Sequence, residues 1–503
     1  MQKKVFLYKY KTMNKYIVSF IIALSNLCFG QQSIEKRIEF ELKDGYVEDK
    51  IITLGSSGLL HQAVSTNRPI ELKNDFYSTN LALIKSSAVQ LDSKPFLESL
   101  YFKDEFSSYT LLTLTNNRFS IVSSNIKTLT SSKINGTFKG VFINFKVHKN
   151  VAIISGIENK IYKLMFVDLI SGSLKNIDIT YGDFNPKRIS IEDFQPLDDE
   201  VLVYSSVKTD LKNADLYVTK LDLQGNQLES YNVTNGIPEK LVNVSALKSG
   251  NKYIISGVYA KHDSTLKQST SLESNYSEGV FIGELINQKL NFIKFYSYID
   301  LKNFSTYMPE KKQEDLEKKK ETMEANGREM AVKYNFVQHP LTAVNGGYEF
   351  LGEAYYPTYM SVYNGSGYTR MFDGYKYTHA SLMKFDTQGN LVWDNTFPIT
   401  YGIKPHFPIR LISKSNIDNQ SKLSYPSINS IQSKSINSET GEDISSRETL
   451  VIDTQNKDEK VSGMVSVIDY WFGDYYIAFG EQVVVNKTEK SKRKVMYLTK
   501  VKL

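Results

Sequence analysis

The chain has 503 residues, of which 41% are apolar and 23% charged, with 27 Phe, 33 Tyr, 2 Trp, a single Cys and a formal charge of +6. That apolar content builds a large core and excludes a chain disordered throughout. The composition also excludes a collagen, a coiled coil, a polytopic membrane protein and a disulfide scaffold.

The first thirty residues stand apart. Tyr16 to Leu27 is an apolar run broken only by Ser19, Ser25 and Asn26, and Lys3, Lys4, Lys9, Lys11 and Lys15 precede it. Cys28 and Gly30 put small residues before Gln31. This pattern predicts a secretory signal peptide over 1–30, cut at Gly30–Gln31, with Met13 as a second candidate start. The run is shorter than the roughly 20 residues a membrane-crossing helix needs; the alternative is an uncleaved N-terminal anchor. Asn26 and Leu27 before Cys28 do not suit lipid attachment. Cleavage leaves 56 basic against 55 acidic residues and no Cys. No chain-wide electrostatic attraction to nucleic acid remains, and no transmembrane segment is expected after cleavage. The expected location is the periplasm or the medium.

From residue 31 onward, short runs rich in Val, Ile, Tyr and Phe alternate with polar turns, the pattern of an all-β protein. Val151-Ala152-Ile153-Ile154, Val201-Leu202-Val203-Tyr204, Tyr253-Ile254-Ile255 and Tyr475-Tyr476-Ile477-Ala478 each follow a polar turn. A second run and its turn recur as Leu164 to Asp168 before Gly172, Leu216 to Asp222 before Gly225, and Leu382 to Asp386 before Gly389. Gly172 to Gly225 is 53 residues and Gly389 to Gly441 is 52. A period near 50 with four short strands per unit predicts a β-propeller. A sandwich array or a solenoid is the alternative. Six units are visible from about residue 107 and the stretch 33–106 holds one or two more, so about seven blades are expected, with eight next. Residues 31–503 are expected to form a single propeller domain.

Leu382-Met383-Lys384-Phe385-Asp386-Thr387-Gln388-Gly389-Asn390-Leu391-Val392-Trp393 resembles the D-x-x-G-N-x-x-W blade unit of secreted bacterial propeller repeat proteins. Leu221 to Leu228 is a second copy without the Trp. The resemblance covers repeat style and implies a propeller, with no particular chemistry. The same segment is similar to the tryptophan-docking repeat of quinoprotein dehydrogenases, which carry Trp in many blades. Only Trp393 and Trp471 occur here, so no cofactor is expected.

Two stretches interrupt the strand pattern. Pro309 to Lys333 is rich in Lys and Glu, with Pro at the first turn and Glu314–Lys318 and Asp315–Lys319 at helical spacing. It predicts a helical insertion over 309–333, leaning on the propeller through Leu316, Met323 and Met330 and weakened near Gly327. Tyr355 to Tyr377 is read as a long loop rich in Tyr, Ser, Gly and Asn, a composition suited to binding surfaces. Tyr355, Tyr356, Tyr359, Tyr363, Tyr368 and Tyr375 are the candidate ligand-binding residues; packing against neighbouring blades is the alternative. Strand directions alternate within a blade, so the 309–333 and 355–377 insertions are expected on one face.

Catalytic signals are sparse. His61, His148, His262, His339, His379 and His406 contain no pair at metal-ligand spacing, so no metal site is expected, although His339, His379 and His406 flank one blade. Asp44-Gly45 and Asp198-Asp199-Glu200 read as turns. No calcium loop, G-x-S-x-G elbow, P-loop or H-E-x-x-H motif occurs. The expected function is an exported binding or scaffold protein that presents an aromatic, loop-rich face to a glycan or protein partner. The alternative is a secreted propeller hydrolase using two carboxylates at the funnel mouth.

Overall fold

The apolar runs form central strands whose two faces are both covered. In Val151–Glu158, Ala152 and Ile154 pack toward the preceding sheet while Ile153 packs toward the following one. Burial on both faces is why such runs are continuous instead of alternating. A computed structural model describes residues 32–41, 45–65, 67–95, 99–210, 214–234, 237–261, 276–287, 289–363, 365, 367–454, 456–464 and 466–503. The expected signal peptide over 1–30 and its cut at Gly30–Gln31 lie outside the described residues, as do Asp44, His262, Gln288, Asn364 and Ser366.

The described strands make eight antiparallel sheets: six have four strands, and two have five because the innermost strand is broken in two. Blades 1 to 7 follow chain order at 46–90, 100–137, 141–177, 189–232, 239–297, 335–398 and 413–451. Blade 8 takes its inner three positions from the C-terminal strands. Its outermost strand is Ser33–Glu41, antiparallel to Lys492–Lys502. The two ends of the described chain therefore close the ring. Every neighbouring pair of blades shares a buried apolar cluster, including Ile477 and Leu498 of blade 8 against Ile51 and Leu59 of blade 1. The fold is an eight-bladed β-propeller, the higher of the two counts that the repeat spacing allowed.

The turn motif has a mechanical explanation. Asp386 Oδ1 accepts hydrogen bonds from the backbone N–H groups of Gln388 (2.9 Å) and Asn390 (2.7 Å), and the Asn390 amide donates to Asp386 Oδ2 (2.8 Å). Gly389 sits at φ +75°, where a β-carbon is disfavoured. Asp222, Gly225 and Asn226 repeat the arrangement. Trp393 closes the unit on the next blade, because a β-carbon on Gly441 would stand 2.5 Å from its ring. Gly389 sits in the same way against Phe292 of the blade before it.

The helical insertion is shorter than expected. The helix runs Glu310–Ala325 after Pro309, and Gly327 follows at φ +65°. None of its residues is buried; Leu316 and Met323 are half-buried, and Lys320 pairs with Asp300 at 3.0 Å.

Candidate functional site

The Tyr-rich stretch is a long β-hairpin instead of a loop. The second strand of blade 6, Gly347–Tyr363, has 17 residues and the third, Tyr368–Asp386, has 19, against 8 to 10 for the second and third strands of blades 2 to 5. The inner strand Asn335–Gln338 reaches the second strand only as far as Tyr355, and the outer strand Leu391–Pro398 meets the third only from His379 onward. Past those points the two strands pair with each other as far as Tyr363 opposite Tyr368. At about 3.4 Å per residue, the segment from Tyr356 to Tyr363 carries the hairpin roughly 25 Å beyond the blade. Register shifts at Ala354/Tyr355 and Pro357/Tyr359 break strict alternation, which is why the stretch does not read as a strand from sequence.

Side chains on one face of the hairpin form an aromatic ladder. Tyr363 meets Tyr368 edge-on at 5.5 Å, and Tyr359 meets Phe372 at 6.0 Å with the Arg370 guanidinium 4.1 Å above the Tyr359 ring. Phe372 then meets Tyr375 at 5.0 Å, and Tyr375 meets Tyr355 at 5.1 Å. The ladder ends in the cluster shared by blades 6 and 7. The opposite face carries Met360 and Met371, both exposed.

The six tyrosines singled out from sequence therefore divide. Tyr363 and Tyr368 are 63% and 79% exposed, and Tyr356 is exposed as well. Tyr359 and Tyr355 are half-buried, and burial pushes the Tyr355 hydroxyl up to about 12. Tyr375 is buried at the hairpin base, where its N–H donates to the Pro405 carbonyl at 2.9 Å. Nearby, Tyr377 is also buried; its hydroxyl donates to the Ile409 carbonyl (2.5 Å) and accepts from the Ile409 N–H (2.8 Å). The segment 399–412 thus buttresses the hairpin, assisted by the Lys404–Asp373 pair.

That buttress extends the apolar surface across to blade 7. His406 lies 6.0 Å from Phe372, and the next residue, Phe407, is 71% exposed. Ile409 is exposed, and so is Ile428 at the tip of blade 7, which packs against Gly402. Phe407, Ile409 and Ile428 were not singled out from sequence. They are isolated apolar residues in polar connections, and the ring alone brings them together.

The helix and the hairpin share a face, as the alternation of strand direction requires. The helical connection enters the inner strand of blade 6, and the Tyr307 ring, just before the helix, stacks on His379 at 4.0 Å and 16°. His379 stands at the hairpin base opposite Ala354, fully buried among Phe304, Tyr307, Tyr334 and Phe336. Its Nδ1 lies 3.0 Å from the Thr378 hydroxyl, its Nε2 has no partner among the described residues, and burial holds it down to about 3.

The axial channel is charged. Register shifts bulge several inner strands, and the one between Ile191 and Asp193 turns Glu192 out of the ladder. The protein crowded around it raises the Glu192 carboxyl, against the pull of Lys240 and Lys208, although the side chain keeps access to solvent. Arg410, which keeps access to solvent, donates from Nε to the Gln338 carbonyl at 3.0 Å; the protein crowded around it lowers its guanidinium, opposed by Asp193, Glu353 and Tyr101. Most of the other acids have fixed partners. Asp193 takes Asn144 and Lys146, both at 2.8 Å. Glu353 takes His339 Nε2 at 2.6 Å and the backbone N–H groups of Leu411 and Ile412. Glu349 takes Lys414 and Ser421, and Asp469 takes Lys103 and Thr53. No local motif announces these groups, because each is assembled from more than one blade. His339, His379 and His406 do not converge: one serves Glu353, one is buried in the aromatic box and one lies on the surface. Among the described residues no group of three or more His, Cys, Asp or Glu is placed to hold a metal ion, and no helix is long and apolar enough to cross a membrane.

No family model matches this chain, and no curated protein does. Among solved structures it is similar to apo AztD from Citrobacter koseri, at 9% identity and a TM-score of 0.40 over 88% of this chain and 93% of that one. It is also similar to the β-propeller domain of the Trilobed protease from Pyrococcus furiosus, at 10% identity and a TM-score of 0.35 over 81% and 94%. The WD40 domain of SCAP from fission yeast is similar at 8% identity and a TM-score of 0.37 over 81% and 95%. The propeller assignment itself stands on the eight sheets and their closed ring of contacts.

Proposed function

We propose that this protein is an exported binding protein that presents the hairpin face of blades 6 and 7 to a glycan or protein partner. The observation that carries the reading is the exposed hairpin, with aromatic rings on one face and methionines on the other. A two-stranded ribbon beyond its blade is marginal in water unless something covers it. Contiguous exposed apolar surface of this kind marks interaction sites. Tyr363, Tyr368 and Phe407 supply rigid ring area at low entropic cost, and Arg370, Ser361 and Thr369 supply polar contacts around it.

What favours binding over hydrolysis is the state of the carboxylates in and beside the channel. A glycoside hydrolase needs two convergent acids in contrasting states. The protein around Glu192 raises its carboxyl, but Asp193, Glu349, Glu353 and Asp469 are each engaged by cations or backbone donors.

The test is a glycan and peptide array probed with the chain lacking residues 1–30 and with a Tyr363→Ser/Tyr368→Ser variant. Both rings are exposed, so the variant keeps its thermal midpoint. The reading expects at least tenfold weaker binding to whatever the parent chain retains. Equal binding by both proteins would refute it. Export is tested separately, by N-terminal sequencing of the periplasmic or secreted product, which is expected to begin at Gln31.

A further inference from the structure

We propose that the hairpin's partner is a polypeptide, bound in extended form as an added β-strand along the hairpin edge between Arg370 and Asp373. This rests on the reading that blades 6 and 7 carry the binding face and names the kind of ligand that face takes.

The first observation is an open strand edge. Blade 6's outer strand stops pairing with the third strand at His379, and segment 399–412 meets that strand again through Lys404 on Asp373 and the Pro405 carbonyl on the Tyr375 N–H. Among the described residues no strand lies beside Arg370–Asp373. In an antiparallel ribbon alternate residues turn both N–H and C=O away from their partner. Such an edge is a template for another chain. Its spacing matches a polypeptide backbone, and a sugar polymer has no corresponding ladder of donors and acceptors.

The second observation is that the same blade protects the edge of its outer strand. On the outer strand, the Asn303 amide donates to the Asp394 carbonyl at 2.7 Å and Lys434 Nζ donates to the Thr396 carbonyl at 3.0 Å. Those side chains cap the backbone groups that an added strand would use. No side chain caps the carbonyls of Arg370 to Asp373 among the described residues, and no Pro interrupts them. Blunting edges is the general rule; the outer-strand edge follows it and the Arg370–Asp373 edge does not.

The flanking faces select side chains. An added strand would set alternate residues beside Phe372 and Arg370 on one side and beside Met371 on the other. The ligand expected is therefore a segment of about six residues with apolar side chains on both faces, rich in β-branched and aromatic types.

The probe is a phage-displayed pool of random twelve-residue peptides, selected on the purified chain, with the selected sequences then made as synthetic peptides. Methylating backbone nitrogens one at a time removes donors without changing side chains. Strand addition expects losses of at least tenfold at every second amide and little change between them. Uniform tolerance of N-methylation would overturn strand addition, as would failure to recover any peptide. If no peptide is recovered while a glycan binds and is lost in the Tyr363→Ser/Tyr368→Ser variant, the inference falls and the binding face stands. If recovered peptides bind that variant as they bind the parent chain, both fall.

Discussion

His379 makes the fold sensitive to mild acid, and the size of the effect follows from its surroundings. The imidazole is fully buried, stacked on Tyr307 and enclosed by Phe304, Tyr334 and Phe336, and its pKa falls from 6.5 to about 3. In the unfolded chain the ring titrates near 6.5, so between pH 6.5 and 3 the unfolded state binds the extra proton. Stability is therefore full above pH 6.5 and declines as pH falls toward 3. At 1.36 kcal/mol per pKa unit, the loss between pH 7 and pH 5 is about 2 kcal/mol, growing to about 5 kcal/mol below pH 3. His379→Asn cannot take up that proton. It loses ring contacts, and so starts from a lower midpoint at pH 7, but its further decline to pH 5 is expected to be shallower by that same 2 kcal/mol. The assay is urea denaturation of both chains at pH 7, 6 and 5, with the His379 ring followed by NMR over the same range. Other titrating groups cancel in the difference between the chains. Parallel losses in the two proteins, or a His379 resonance that titrates near pH 6.5, would refute the reasoning.

Arg37→Ala is expected to loosen ring closure. The guanidinium is buried, hydrogen-bonded to Glu39, Gln482 and Thr499, and lies 4.6 Å above Tyr497. Removing one partner of a buried pair costs about 3–5 kcal/mol, and a lower thermal midpoint checks it. Gly441→Ala places a β-carbon at φ +74° against Trp393, which costs about 2 kcal/mol or more in a denaturant titration. Replacing 359–372 by a two-residue Asn-Gly turn is expected to leave the thermal midpoint nearly unchanged, because most of that ribbon is exposed. By contrast, Tyr377→Ala is expected to lower stability by about 3–5 kcal/mol. Trypsin is expected to cut first in Glu310–Ala325, where Lys311, Lys312, Lys318 and Lys319 are exposed, and to leave the blades associated on gel filtration.

Much of this architecture was legible in the sequence, because local physics writes it there. Runs such as Val201 to Tyr204 between polar turns specify central strands, and Asp386, Gly389 and Asn390 specify their own turn through contacts no more than four residues apart. Pro309 and the Lys- and Glu-rich run after it likewise announce a helix, and chain direction alone puts that helix on the face of the Tyr-rich insertion. The tyrosines of the candidate site stood out by composition.

Tertiary structure decided the rest. Ring closure joins Ser33–Glu41 to Lys492–Lys502, a pairing without local signal because its partners lie over 450 residues apart, and it settles eight blades. The hairpin was hidden because two bulges and its glycines disrupt the period-two pattern by which strands are recognised. Which tyrosines face solvent depends on the buttress 399–412: it buries Tyr375 and Tyr377 and leaves Tyr363 and Tyr368 in water. Glu192, Glu353 and Arg410 take their roles from neighbours on other blades. Short-range chemistry is written along the chain, whereas burial and pairing across the ring exist only once the blades have closed.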